Sequence, residues 1–522
     1  MCQVYDTAPL LVKRHVVIYS RVMMIMVSLL VAGALVEAVL YVLPFLWPGR
    51  KAVVPVVVAT TAFAGAGLFV SQPNTVSFLI LLLCAYRIFN NIRVMENRMH
   101  ERYLRRATRR TSLKLLAPQL VLGALWFGWH QMNLATHALW ALLAFWQVVV
   151  AAVLFGSTLR SLNRTLPRPI KKSYSTAELP SITIAVPARN ETEDLQQCLE
   201  SLIASDYPKL EIIVLDDCSQ IRQTPEIIRS FAHDGVRFVK GAEPSDTWLP
   251  KNQAYQRLAE EASGEYILFC GVDVRFEPDA VRKLVTAMLA RQKTMVSVLP
   301  GRARGAGSNF ALVQAMRNWW ELVPPRRLFE RPPVMSSCWI ISRATLKKVG
   351  GFEAVTRSIV PEAYFAKQLV WQDRYSFLRS DDMLGITTAK AAREQRATAV
   401  RMRYPQVHRR PEQVWLVTML EFAFLLLPFA MAVGGFWWHV GLYAQALAAV
   451  AGILLVTTYV AMATATSLNG RWFRVVAFPL VVLTDIGLLH YSMWQYEFSV
   501  VDWKGRNVCI PAMHAIPHLP KI

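Results

Sequence analysis

Charge is scarce in this sequence, and acidic charge scarcest. Of 522 residues, 18% are charged and 54% hydrophobic, and the mean hydropathy is +0.30. The apolar excess falls in blocks, which excludes an ordinary water-soluble enzyme throughout. Lys and Arg number 57 against 36 Asp and Glu, for a net charge of +21. The basic clusters stand beside apolar runs, so they set orientation and touch anionic lipid rather than nucleic acid. The seven cysteines (Cys2, Cys84, Cys198, Cys218, Cys270, Cys338, Cys509) show no CxxC or other ligand spacing. That excludes a zinc site or a disulfide framework and implies reduced, mostly buried thiols. Long repeats and low-complexity segments are lacking. The first apolar run is preceded by about twenty residues and reaches roughly thirty, too long for the core of a cleavable signal.

What is present begins with spans. Residues 22–47 have roughly membrane length. Residues 53–70 and 76–88, parted by the turn signal SQPN, read as a helical hairpin, and 115–129 with 138–155 as a second. Between the hairpins, 91–114 reads as a basic amphipathic helix at a membrane surface, with Met95, Met99 and Tyr103 four apart. A second basic stretch runs over 160–172. The excess of positive charge places both stretches, and the domain at 176–405 between the two membrane regions, in the cytoplasm. Five N-terminal spans over 1–165 then leave the N-terminus outside. Runs at 416–433, 440–464 and 475–491 follow within a C-terminal region at 406–497, and a tail at 498–522 closes the chain. The first of these runs carries Glu421 and Pro428 and is the one expected not to cross cleanly. An uncompensated carboxylate at mid-membrane costs about 2.5–3.5 kcal/mol on the lenient insertion scale.

The stretch 182–277 has a different texture. Short Val- and Ile-rich runs alternate with helical patterns. Leu195, Cys198, Leu199 and Leu202 repeat at i, i+3, i+4 and i+7 and predict one buried helix face. Strand and helix in alternation imply an α/β domain with a mostly parallel sheet. Ligands of such sheets sit beyond the carboxyl ends of the strands. At those ends fall Ala188, Arg189, Asn190 and Glu191, then Asp216 and Asp217, then Asp273. The paired aspartates suit either a nucleotide and its metal or a turn and helix cap. Asn190 and Glu191 suit a helix cap equally well. Asp273 suits Mg²⁺ or Mn²⁺ beside a diphosphate, and Lys251, in WLPKN, suits a phosphate as a point charge.

In order and spacing these residues resemble the membrane-integrated family 2 glycosyltransferases with a GT-A (Rossmann-like nucleotide-diphospho-sugar transferase) fold. Within that family the chain looks most like the branch that glycosylates ceramide, carotenoid and hopanoid-type lipids. The carrying segments are VPARNE, LDDCS, WLPKNQA, FCGVDVRFEPDA, the GGF at 350–352, SIVPEAYFAKQL, AVRMRY and DWKGRNV. The resemblance implies donor contacts from Pro187, Ala188, Asn190, Glu191, Asp216, Asp217, Lys251 and Asp273. It implies a metal, Mg²⁺ or Mn²⁺, on Asp273, and Glu362 as catalytic base. It places Arg401, Trp503, Lys504 and Arg506 on the diphosphate and acceptor side, and the tail beside the site. A tail there favours a cytoplasmic C-terminus with one non-crossing segment among the last three. The chain departs from the pattern at Gly271 for the first aspartate of the metal pair, at Pro250 for a glycine, at Pro361 for an acid, and at Val508 for a tyrosine.

The resemblance thus implies inverting, non-processive, metal-dependent transfer of a sugar from a UDP- or GDP-sugar to a lipid or lipid-linked acceptor at the cytoplasmic face of a bacterial-type membrane. Absence of QxxRW argues against a processive polysaccharide synthase. Two further readings stand beside the enzyme: a catalytically degenerate relative acting as a binding or partner subunit, suggested by the departures at working positions, and a transporter or scaffold, disfavoured because no paired polar residues punctuate the spans.

Overall fold

The computed structural model of the chain describes residues 25–34, 36–37, 40, 50–71, 75–96, 136–167, 174–245, 247–302, 311–323, 332–435, 440–466, 473–498 and 501–507. The expected span at 115–129 and the basic stretch at 97–114 lie outside them.

Parallel strands with helices between them build the central sheet, as the alternating pattern requires. The strands are β1 (Ile182–Ala188), β2 (Leu210–Asp216), β3 (Val236–Lys240), β4 (Tyr266–Cys270), β5 (Val274–Phe276), β6 (Met295–Leu299), β7 (Gly301–Arg302), β8 (Cys338–Ser342), β9 (Tyr375–Arg379), β10 (Ile386–Thr388), β11 (Asp502–Trp503) and β12 (Arg506–Asn507). Seven of them form one sheet in the order β3-β2-β1-β4-β8-β6-β9, while β5-β10-β7 form a small second sheet and β11-β12 a hairpin. β1 pairs in parallel with both β2 and β4, with Ala188 opposite Asp216. β8 runs antiparallel to β4 and β6. Six of its seven strands run in one direction and β8 alone opposes them, so the sheet is mostly parallel, as the sequence pattern implies, and mixed at that one strand.

The helices before the domain are α1 (Arg50–Ser71), α2 (Thr75–Glu96) and α3 (Thr136–Thr165), and α3 runs through Arg160 and Arg164. Within the domain lie α4 (Glu193–Ile203), α5 (Gln223–Ser230), α6 (Pro250–Glu261), α7 (Ala280–Ala290), α8 (Ala311–Leu322), α9 (Arg343–Lys348), α10 (Pro361–Val370) and α11 (Ala392–Gln406). After it come α12 (Pro411–Glu421), a π-helical turn at Phe422–Leu426, α13 (Leu427–Gly434), α14 (Leu442–Ala465) and α15 (Phe473–Phe498).

Alternation along the strands divides the core. Ile182, Ile184 and Val186 face α4, whose Leu195, Cys198, Leu199 and Leu202 are all buried as their spacing predicts. Ala185, Ile213, Phe269 and Trp339 face the other way, and Trp339 stacks on Phe269 at 4.4 Å. This second layer continues through Met316, Trp319 and Leu322 of α8 into Leu455 and Tyr459 of α14 and Phe478 of α15. One apolar core thus joins the sheet to the C-terminal helices.

Among the described residues, five helices are long and apolar enough to cross a membrane: Ala52–Ser71, Leu139–Thr165, Pro411–Gly434, Leu442–Ala465 and Ala477–Phe498. The last is the least apolar of the five and the most buried in protein. Glu421, which suggested that the first C-terminal run fails to cross, is compensated: Arg403 donates to it at 3.2 Å. Gln147 of α3 donates to the Ala423 carbonyl within the π turn.

Candidate active site

β1, β2, β4 and β6 all end at the same edge of the sheet, and β8 begins there. Beyond that edge lies a cleft of ≈ 290 Å³, at the small end of ligand pockets. The strand ends contribute Pro187, Glu191, Gly271, Asp273 and Leu299; α6 contributes Lys251; α8 contributes Arg317 and Asn318; α11 contributes Gln395 and Arg401; Thr466 closes α14 and Trp503 comes from the tail.

Six predicted residues therefore meet around one cavity: Pro187, Glu191, Lys251, Asp273, Arg401 and Trp503. Asp273 accepts a hydrogen bond at Oδ2 from Thr388 of β10 at 3.0 Å. Its Oδ1 stands where a side chain at position 271 would begin, 2.7 Å from an added Cβ, and makes no hydrogen bond among the described residues. A divalent ion fits this donor set, since Mg²⁺ is commonly held by one or two carboxylates plus substrate phosphates. No group of three or more His, Cys, Asp or Glu that could hold a metal converges among the described residues, in the cleft or outside it, so Asp273 is the single carboxylate offered.

Cations outnumber acids in the cleft. Arg401 lies over the Trp503 ring, 5.7 Å from its centroid, and burial holds its guanidinium below the usual arginine range. Neither Arg401 nor Lys390 has an ion-pair partner among the described residues. Burial likewise pulls Lys251 below the usual lysine range, against the opposing charge of Glu362.

Glu362 is fully buried in the first turn of α10. Both of its oxygens lack a hydrogen-bond partner among the described residues, and Lys251 Nζ stands 4.0 Å away. Glu362 itself does not line the cleft. The loop before it is tied down by Asn252, whose side chain donates to the carbonyls of Val355 at 2.8 Å, Thr356 at 3.1 Å and Ser358 at 2.8 Å. Gly350 and Gly351 stand at φ 94 and 57, a left-handed turn open to glycine. Pro250 and Pro361 each open a helix, where a missing N–H costs nothing.

The tail reaches the cleft through Trp503, but its two cations find other partners than expected. Lys504 and Arg506, read as diphosphate cations, do not themselves line the cleft and pair instead with acids at the strand ends, of which Glu191 lines it. Arg506 donates to Asp217 at 2.6 Å and to Glu243 at 2.8 Å. Lys504 donates to Glu191 at 3.0 Å. The Lys504 carbonyl accepts from Arg189 at 3.0 Å and from Asn190 at 3.4 Å. Asp216 does not line the cleft and accepts from the Ser219 N–H at 3.1 Å, the turn role that its residue type allows. Ala188 is buried at the end of β1. The reason is charge: three acids, Glu191, Asp217 and Glu243, stand beyond β1, β2 and β3 and draw the tail's two cations. Burial lifts Glu191 to about 7 despite Lys504, and lifts Asp217 despite Arg506. Thr388, Lys390, Arg317 and Asn252 were not singled out from sequence. Only Asn252 carries a local signal, as part of WLPKNQA.

Residues 183–350 match the model of the glycosyl transferase family 2. The chain carries a family 2 glycosyltransferase domain. The mixed sheet and the helices on both sides of the domain are those of the GT-A arrangement flanked by membrane-length segments. The glycosyltransferase domain is similar to a probable glycosyltransferase, YdaM, of Bacillus subtilis, 27% identical over 185 residues covering 34% of this chain and 44% of that one. It is also similar to 4,4'-diaponeurosporenoate glycosyltransferase of Staphylococcus aureus, 33% identical over 122 residues covering 23% and 32%. The match spans less than half the length of either relative. Among solved structures, a mannosyltransferase from Pyrobaculum calidifontis in complex with GDP-Man and Mn²⁺ aligns with a TM-score of 0.41 and 16% identity, over 68% of this chain and 98% of that one.

Proposed function

We propose that this chain transfers a sugar, with inversion, from a UDP- or GDP-sugar to a lipid or lipid-linked acceptor at the cytoplasmic face of a membrane. The observation that carries the reading is the cleft at the carboxyl edge of the family 2 domain, where Asp273, Lys251 and Arg401 converge beside helices of membrane length. The acids beyond β1 and β2 would take the nucleoside. Lys251 and Arg401 would hold the diphosphate as it leaves, as fixed cations do for other phosphate leaving groups. A divalent ion on Asp273, when bound, would neutralise the same group. Glu362 would take the acceptor's proton. A base works within about 2.6–3.2 Å, and contacts of this kind are often longer before substrate binds.

The topology supporting this reading turns on α15. Thr466 before it and Trp503 after it line the same cleft, and Arg379 of β9 donates to the Ala465 carbonyl. From Thr466 to the start of α15 at Phe473 is seven residues, at most about 25 Å when fully extended. A hydrocarbon core is about 30 Å thick. On this reading α15 would begin and end on the domain's side, while α12–α13 and α14 would cross as a hairpin. The proposed non-crossing segment is thus the last of the three, where the sequence pointed to the first.

Nucleotide release from UDP- or GDP-sugars by the purified protein, with Mn²⁺ and extracted membrane lipids, tests the enzymatic reading. Thermal stabilisation by nucleotide with no release favours the degenerate binding subunit, a reading supported by the withdrawal of Glu362 from the cleft surface. Absence of both binding and release sinks the proposal.

A further inference from the structure

Arg403 stands on α11 two residues beyond Arg401. Two residues turn a helix by about 200°, so the helix that sets Arg401 in the cleft sets Arg403 against the membrane-length helices. There one guanidinium gathers three elements. It donates to Glu421 at the end of α12 at 3.2 Å and to the carboxylate of Asp485 on α15. It also lies over the ring of Trp320 on α8, 5.6 Å from the centroid. Arg403, Glu421 and Asp485 are 5%, 1% and 0% exposed. The backbone leaves α geometry immediately after Glu421, in the π turn, a deviation that recurs at functional sites.

The reading of the cleft makes no use of this triad, and stability alone does not account for it. A buried ion pair is often matched or bettered by apolar residues of similar volume, whereas removing one partner from an existing pair is strongly destabilising. The triad is thus poorly suited to adding stability and well suited to permitting one arrangement only. It permits the one in which α11 meets α12, α15 and α8 together. We propose that Arg403 is a positioning residue: held by Glu421 and Asp485, it fixes α11 and thereby the place of Arg401 at the cleft. The inference rests on the reading of that cleft as a diphosphate site.

The test uses the full chain in nanodiscs, with Arg403→Gln, Arg403→Lys, Glu421→Gln, Arg401→Gln and the Arg401→Gln/Arg403→Gln double variant. Two quantities are measured: amide exchange of the 392–406 peptide by mass spectrometry, and affinity for UDP and GDP. Arg403→Gln is expected to speed exchange across α11 while leaving β1, β2 and α6 unchanged. It is expected to weaken nucleotide affinity about tenfold, with the double variant no weaker than Arg401→Gln alone, since coupled neighbours fail to add. Arg403→Lys restores part of both. Unchanged α11 exchange, or additive losses of affinity, overturns the proposal. Should Arg403→Gln fail to fold, Glu421→Gln keeps the guanidinium and one acid, and its α11 exchange must still rise for the proposal to stand. Wild-type protein that binds neither nucleotide refutes the diphosphate reading, while the exchange measurement still decides whether Arg403 holds α11.

Discussion

Arg506 donates to Asp217 at 2.6 Å across a separation of 289 residues. The pair fastens the tail hairpin to the end of β2, where the carboxylate is 4% exposed. Removing the guanidinium leaves a buried carboxylate whose other help is the more distant charge of Arg189. Arg506→Ala is expected to lower affinity for UDP or GDP about tenfold, because a charge-assisted bond that orders a binding group is worth about 1.5–3 kcal/mol. Of two pH values, the loss should be larger at the lower, since without Arg506 burial lifts the Asp217 carboxyl further above its ordinary range. Nucleotide titration at both pH values checks this, and equal affinities for wild type and variant would remove Asp217 from the site.

The second ion pair of the tail, Lys504 with Glu191 at 3.0 Å, carries a pH signature. Burial raises Glu191 to about 7, and Lys504 only partly opposes the rise. An unfolded glutamate loses its proton near 4.5. Between those values the folded chain still holds a proton that the unfolded chain has released, so stability falls as pH rises through the window. Glu191→Gln abolishes that slope. The variant should gain on wild type by about 1–3 kcal/mol between pH 4.5 and pH 7, read as diverging melting temperatures in detergent. Parallel curves across the window would contradict the assignment.

Much of the domain is legible in the chain because it is local. The i, i+3, i+4, i+7 face of α4 needs only periodicity, and the ends of β1, β2 and β4 need only short apolar runs closing on polar residues. What is not legible depends on distant partners. Glu421 looks like an uncompensated charge until α11 brings Arg403 to it and α15 brings Asp485 to the same guanidinium. Lys504 and Arg506 look like free cations until the strand ends present Glu191, Asp217 and Glu243. Pro250 and Pro361 look like lost function at motif positions, whereas each is the first residue of a helix. Thr388 and Lys390 lie in a strand end that carries no pattern of its own.

Asp273 is expected to carry whatever metal dependence the protein has. Asp273→Asn keeps an acceptor for Thr388 but removes the charge. Wild-type affinity for UDP or GDP should rise with Mn²⁺ over that in chelator, and the variant should bind equally in both. The two constants come from one calorimetric titration series. A variant that still responds to Mn²⁺ would move the ion to another residue.

Glu362 poses the sharpest question, because among the described residues its buried carboxylate has no hydrogen bond and its ion-pair partner is the Lys251 ammonium at 4.0 Å. Two roles fit such a group. As a base, it must accept a proton from the acceptor, and Glu362→Gln should slow transfer by about 10²–10⁴-fold with nucleotide affinity unchanged. As a counter-ion alone, it serves to hold Lys251 charged at the cleft wall. The same variant should then weaken nucleotide binding, with turnover falling only in proportion. The melting temperature separates either effect from misfolding, since a neutral amide in place of an unsatisfied buried carboxylate should not lower it. Turnover and affinity measured on one preparation decide between the two roles, and a variant unchanged in both would take Glu362 out of the mechanism.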